Sequence, residues 1–390
     1  MGVKVDISYK SLNKHNEELC GDKVEVLKTA DSDILILADG MGSGVKANIL
    51  ATLTSKILGT MLINGASIDA CVETIVKTLP VCKIRQVAYS TFSILQIFHD
   101  GEAYLVEFDN PSCICLRDGA VLKLGYEERV IHDKTIREYR FHVQLGDYFV
   151  LMSDGVIHAG VGKLLNFGWT WDHVATYAVN SVKTSFTANR MANTLSKACD
   201  DLYMQSPGDD TTVAVAKIIT KKAVDLFTGP PSSETDDKRV VEDFMKNEGI
   251  KVVCGGTTAN IIARELHRSI KTTLNYLDPD IPPIGHIEGI DLVTEGVLTL
   301  SHTLQLLKQY VKNEVDEQFF MTLDEKNGAS MVAKVIIEEC TDLHIFVGKA
   351  INIAHQNPDL PFDLSIRMNL VEQMGEVVKR MGKEVTITYY

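Results

Sequence analysis

Five aspartates stand where apolar runs begin or end. Asp39 closes the run at 34–38 and precedes Gly40, and Asp154 follows the run at 148–152 and Ser153 and precedes Gly155. Asp209 and Asp210 stand directly before the run at 211–219, and Asp22 follows Gly21 ahead of a shorter run at 24–27. An acid at a strand end is held by stiff backbone and still faces solvent. Several converging there would repel one another unless a cation sat between them. Hard cations such as Mg²⁺ or Mn²⁺ prefer carboxylate, carbonyl and water oxygens. A glycine after the acid lets its own carbonyl, or a water, approach the ion.

Asp-Gly is also a common turn dipeptide. Asp100-Gly101 and Asp118-Gly119 lie between two strand-like runs and read as hairpin turns. Asp39 and Asp154 differ from them: each ends an apolar run that leads into a helix or loop rather than a hairpin partner.

The elements that must position these acids follow from hydrophobic spacing. Residues 34–38, 91–98, 103–108, 112–116, 147–152 and 211–219 read as strands, and 47–62, 67–78 and 190–202 as helices. Consecutive hairpins with paired helices imply stacked antiparallel sheets with helices outside, an α/β layered fold. The polar, Pro- and Ser-rich stretch at 228–238 reads as part of a linker at 223–240. Beyond it, short strands at 250–254, 291–294, 343–347 and 384–389 alternate with helices at 257–268, 296–312, 331–339 and 370–381. That alternation predicts a second α/β domain at 241–390 with a mostly parallel sheet, behind a first domain at 1–222.

Four motifs in order, Gly21-Asp22, Ala38-Asp39-Gly40-Met41-Gly42-Ser43-Gly44, Met152-Ser153-Asp154-Gly155-Val156 and Gly208-Asp209-Asp210-Thr211-Thr212-Val213, resemble the bacterial PP2C-type phosphatases of the sporulation stage II protein E class. The resemblance spans about residues 1–220. It implies a β-sandwich flanked by helices with a two-metal centre at one edge. By that resemblance Asp39 would bridge two Mn²⁺ or Mg²⁺ ions and the Gly40 carbonyl would bind one of them. Asp154 and Asp209 would hold the other, Asp22 would act on the Gly40 side, and Asp210 stands at a position where relatives carry Asn or Asp. The implied activity is hydrolysis of phosphoserine or phosphothreonine on a small regulatory protein. A metal-bridging hydroxide would attack, with Asp39 and Asp22 as the catalytic carboxylates. The alternative is an inactive phosphatase fold kept as a signalling scaffold, or a nucleotide- or anion-binding module. The segments at 91–95 and 109–113 match the family pattern loosely, and no arginine stands out as a phosphate clamp.

Gly40-x-Gly42-x-Gly44 before a helix also invites comparison with a dinucleotide-binding turn. The third glycine comes too early for that pattern, and Asp39 would face a pyrophosphate. A phosphate-binding P-loop fails as well, because Lys46 is followed by Ala47.

In the second half, Gly255-Gly256-Thr257-Thr258 joins a strand to a helix. Backbone N–H groups at a helix start attract anions, and a Thr there also serves as a simple cap. The turn at 293–296 would lie along the same strand ends, so a small anionic ligand is expected at this edge. His286, His302 and His344 form no metal spacing and read as structural or surface residues.

The net charge of −13 argues against nucleic acid and anionic membrane surfaces as partners. No apolar segment reaches membrane-span length, the start lacks a signal-peptide core, and Asp6 spoils a myristoylation pattern at Gly2. Eight scattered cysteines read as small core residues of a reducing, cytoplasmic compartment.

Overall fold

The chain is described by a computed structural model over residues 3–78, 90–131, 134–272, 285–312, 315–350 and 363–390. It divides into two units, Met1–Thr220 and Lys221–Tyr390.

The first unit runs β1 (Lys4–Leu12), β2 (Asp22–Lys28), β3 (Ser32–Gly40), α1 (Gly44–Ile63), α2 (Ile68–Thr78), β4 (Ser90–Phe98), β5 (Glu102–Phe108), β6 (Ile114–Arg117), β7 (Ala120–Val121), β8 (Glu127–Ile131), β9 (Lys134–His142), β10 (Tyr148–Met152), α3 (Asp154–Ile157), α4 (Trp171–Ser181), α5 (Ala188–Leu202) and β11 (Thr211–Ile219). One antiparallel sheet has the order β2-β3-β4-β5-β9-β8 and the other β1-β11-β10-β6-β7. Strand β3 reads as an unbroken apolar run because both its faces are covered. Leu35 and Leu37 pack against Phe149, Leu151, Ala214 and Ala216 of the other sheet. Ile34, Ile36 and Ala38 meet Leu50, Leu58, Val72 and Ile75 of α1 and α2. The second sheet is covered in the same way, with Val150, Met152, Val213 and Val215 beneath Val174, Met191 and Leu195 of α4 and α5. The result is the expected β-sandwich flanked by helices.

Strand register places the acids. Asp22 and Asp39 are direct cross-strand partners in the β2–β3 pair. In the β10–β11 pair Met152 faces Val213, so Asp154 and Asp209-Asp210 emerge just past the same end. Leu12 faces Thr211 in the β1–β11 pair, which brings the loop after β1 to the same edge.

The second unit runs β12 (Ala223–Thr228), α6 (Asp237–Lys246), β13 (Ile250–Cys254), α7 (Gly256–Glu265), β14 (Lys271–Thr272), β15 (Gly285–His286), β16 (Leu292–Thr294), α8 (Val297–Val311), α9 (Glu317–Leu323), α10 (Gly328–Lys334), β17 (Asp342–Val347), α11 (Asp363–Arg380) and β18 (Glu384–Tyr389). Its sheet has the order β14-β15-β16-β13-β12-β17-β18. The five strands from β16 to β18 in that order are parallel, and the short β14–β15 pair is antiparallel. The mixed, mostly parallel sheet is the expected one.

The expected linker at 223–240 is not a linker. Residues 223–228 are β12, the middle one of the five parallel strands of this sheet, flanked by β13 and β17. Residues 237–246 are α6, and the stretch between them, residues 229–236, turns the chain and ends in a 3-10 turn at Glu234–Asp236. The misreading has a physical cause. Asp225 interrupts the apolar run of β12, and it is buried because Lys251 pairs with it from the neighbouring strand.

Candidate metal centre

The site is built from four segments of the first unit. Asp22 opens β2, Asp39 ends β3, Asp154 opens α3 after β10, and Asp209-Asp210 precede β11. Glycines permit the convergence. A side chain at Gly40 would place its first carbon 2.1 Å from the Ala47 carbonyl oxygen of α1, and one at Gly155 would meet the Asp210 carbonyl at 2.1 Å.

Ser153 ties the two sheets together. Its hydroxyl donates to Asp22 Oδ2 at 2.7 Å and accepts from the Thr212 N–H at 2.9 Å. With Oδ2 so held, Asp22 Oδ1 is buried and has no hydrogen-bond partner, and neither has Asp210 Oδ2. Asp210 Oδ1 accepts the Lys14 N–H at 3.0 Å, and Tyr203 donates its phenol to the Gly155 carbonyl at 2.7 Å.

The electrostatics group the acids. Burial, then repulsion by Asp22, Asp154, Asp209 and Asp210, pushes Asp39 up to about 9. Burial raises Asp22 to about 7 against the lowering hydrogen bonds of Ser153 and Thr212, with Asp210 and Asp154 adding to the rise. Asp154 is raised by burial and by Asp209 and lowered by His158. Asp22 therefore feels Asp210 most and Asp154 feels Asp209 most, while Asp39 feels both pairs. Among the described residues no three His, Cys, Asp or Glu side chains are drawn up into a finished ligand set. Mutual repulsion and two orphaned buried oxygens are nonetheless what hard cations among these side chains would relieve, so the donor set fits Mg²⁺ or Mn²⁺.

Residues 30–219 match the family described as Stage II sporulation protein E (SpoIIE). The match lies within the first unit, which is similar to the PP2C-type phosphatase domain of that family. A comparison with curated protein sequences gives no match. Among solved structures, the PP2C phosphatase domain and regulatory-domain fragment of SpoIIE from Bacillus subtilis is 21% identical, with a TM-score of 0.47, over 56% of this chain and 64% of that one. The RsbU and RsbW domains of a Mycobacterium tuberculosis protein are 14% identical over 63% of this chain and 70% of that one, with a TM-score of 0.47. RsbX, solved in complex with magnesium, is 18% identical over 55% of this chain and 98% of that one, with a TM-score of 0.41.

The first unit thus brings together Asp22, Asp39, Gly40, Asp154, Asp209 and Asp210. The residues that sequence reasoning passed over are Ser153, Lys14 and His158. Ser153 lay inside a quoted motif without a role, and nothing in the sequence marks the other two. Burial and the Asp22 charge push the thiol of Cys20, beside Asp22, up to about 12.

Gly255, Gly256, Thr257 and Thr258 lie outside the SpoIIE match, at the start of α7. Gly255 takes φ +123, a conformation that suits glycine, and occupies the cap position itself. Thr257 is therefore inside the helix rather than its cap. The Gly255 N–H donates to the Thr294 carbonyl at 2.9 Å, and Gly296, at the start of α8, lies beside it. The two strand-to-helix turns do share one edge. Gly256 and Thr257 are exposed there and Thr258 is buried.

Proposed function

We propose that the first unit is a divalent-metal-dependent protein phosphatase that hydrolyses phosphoserine or phosphothreonine on a regulatory protein in the cytoplasm. The observation that carries this reading is the convergence of five mutually repelling carboxylates from four segments at one edge of a SpoIIE-like domain, two of their oxygens buried and unpartnered. Two bound Mn²⁺ or Mg²⁺ ions would supply a water of lowered pKa as nucleophile and offset charge on the phosphoryl oxygens. Asp39, between the two pairs of acids, would contact both ions. Asp22 and the Gly40 carbonyl belong to one side, and Asp154 and Asp209 to the other. Asp210 anchors the loop after β1 and offers its second oxygen to the Asp22 side. Ser153 fixes the Asp22 carboxylate so that only one oxygen is free to ligate. Hydrolysis of p-nitrophenyl phosphate and of a phosphothreonine peptide, with and without Mn²⁺, tests the reading. Turnover that needs the ion supports it, and a folded, ion-loaded protein without turnover would leave the scaffold alternative.

The second unit is proposed as an accessory module, residues 221–390, that takes a small anionic ligand at Gly255-Gly256-Thr257-Thr258. Two glycine-led helix starts side by side at parallel strand ends support this. A Gly256→Val variant should bind inorganic phosphate more weakly than the parent.

A further inference from the structure

Among the described residues the three sheets end in six edge strands, and an edge left open invites pairing with another chain. Five of the six are blunted. Strands β7 and β14 have two residues each. Charge breaks up the others: Lys4, Asp6 and Lys10 in β1, four of the seven residues of β2, and three of the five of β8. Strand β18 is the exception. It runs six residues, carries one charge, Glu384, at its first position, and continues as Val-Thr-Ile-Thr-Tyr, all good strand formers. Among the described residues it has a strand partner on one side, β17.

The free side of β18 has a defined pattern. The Glu384 N–H donates to the Thr341 carbonyl at 3.0 Å, the Tyr390 N–H donates to the Val347 carbonyl at 2.9 Å, and the Tyr390 carbonyl accepts the Lys349 N–H at 2.8 Å. Backbone groups alternate along a strand, so those of Thr386 and Thr388 face β17 as well. The N–H and C=O groups of Val385, Ile387 and Tyr389 therefore point away from the sheet. These three are spaced symmetrically about Ile387. A second β18, antiparallel and related by a two-fold axis at Ile387, sets Ile387 against Ile387 and Val385 against Tyr389 on either side. Every outward N–H then meets an outward carbonyl.

The side chains agree with that register. It places Thr386 opposite Thr388 and Val385 opposite Tyr389, Thr–Thr and aromatic–β-branched pairs that stabilise antiparallel sheets, with no like charges facing. Gly375 of α11 lies against Ile387, so the axis passes α11 at that level. Glu372, before it, and Lys379, after it, are both exposed. The two-fold brings Glu372 of one copy to the level of Lys379 in the other, opposite charges on both sides of the axis. A foreign strand would need no such match about one residue, so the occupant that fits this edge is a second copy of the chain.

We propose that β18 is a dimerisation strand, pairing antiparallel with β18 of a second copy to join the two second units in one continuous sheet. Sedimentation velocity of the 390-residue chain at micromolar concentration should show the mass of two chains. In Thr386→Lys/Thr388→Lys, lysine faces lysine across the axis, and the chain should sediment as a monomer. Thr386→Lys/Thr388→Glu sets Lys against Glu in the same register and should restore the dimer. Tyr389→Pro removes an outward N–H and none of the bonds to β17. It should weaken the dimer about tenfold or more, with the fold retained by circular dichroism. A parent chain that stays monomeric overturns the proposal. So does a dimer that survives the double-lysine change, or a folded Lys/Glu variant that stays monomeric. If the double-lysine chain fails to fold, Tyr389→Pro decides, and undiminished dimerisation in that variant overturns the proposal.

Discussion

Asp39 stands between the Asp22–Asp210 and Asp154–Asp209 pairs, so its carboxylate is the one whose loss should cost most. Asp39→Ala is expected to lower kcat by roughly 10²–10³-fold or more, with the fold retained by circular dichroism. Removing a repelling charge should also raise the melting temperature of the metal-free protein. The same repulsion gives a pH signature. Asp22 at about 7 and Asp39 at about 9 lie above the ordinary aspartate value of 3.8, so the folded metal-free chain holds protons that the unfolded chain has released. Stability from these groups is present below about pH 4 and lost as pH rises through their folded values. Melting temperatures after chelation should therefore fall from pH 5 to pH 8, and added Mn²⁺ should raise them more at pH 8, where fewer protons compete. A trend in the opposite direction would argue against the clustered acids. Ser153→Ala should cost about 1–3 kcal/mol by leaving the buried Thr212 N–H unpaired, and it should weaken Mn²⁺ binding by freeing Asp22 to turn; denaturant titration and calorimetry read the two effects. At this scale the acids were legible because each follows or precedes an apolar run beside a glycine. Lys14 was not, because its nearness to Asp209 depends on the β1–β11 register, which no local pattern encodes; His158 lies one helical turn after Asp154, at the end of α3, with no motif to single it out.

Among the elements, α1 lies directly on the end of β3, with the Ala47 carbonyl over Gly40. Gly40→Ala should destabilise the domain by about 3 kcal/mol or more, because a backbone atom rather than a flexible side chain blocks the new methyl; chemical denaturation measures it. In the second unit the Lys251–Asp225 pair is almost fully buried between β13 and β12. Breaking it from one side, by Asp225→Leu or Lys251→Met, should cost about 3–5 kcal/mol, whereas the double variant should be close to neutral. Equal costs for the double and the worse single variant would contradict a buried pair. This pair also explains why β12 was read as linker: a charged residue in the middle of a six-residue run, followed by Gly-Pro-Pro, looks like loop until its partner strand is known. The strands β3, β4, β5, β10 and β11 were legible because their apolar runs are continuous or cleanly punctuated by Asp-Gly. By contrast α4 escaped notice because its buried face is Val174, Ala175, Ala178 and Ser181, side chains too small to mark a period. Strand β8 was missed for a related reason, since Glu127-Glu128-Arg129-Val130-Ile131 has no buried residue.

For the molecule as a whole, the SpoIIE match covers residues 30–219 and ends before the second unit. Its parallel sheet was readable from alternating strands and helices, but its role was not, since a glycine turn and a helix start serve many ligands. Among the described residues no helix is long and apolar enough to cross a membrane. The net charge of −13 is partly the carboxylate edge itself, a concentration of negative charge that attracts cations. The proposed activity requires that edge to be a working metal centre. The most direct measurement is the rate of p-nitrophenyl phosphate hydrolysis by the 390-residue chain as Mn²⁺ is titrated after exhaustive chelation, with Asp39→Ala run alongside. Turnover that is absent without the ion, rises to saturation with it and is missing in the variant is the predicted result. Turnover that survives complete removal of divalent ions, or that persists in a folded Asp39→Ala variant, would contradict it.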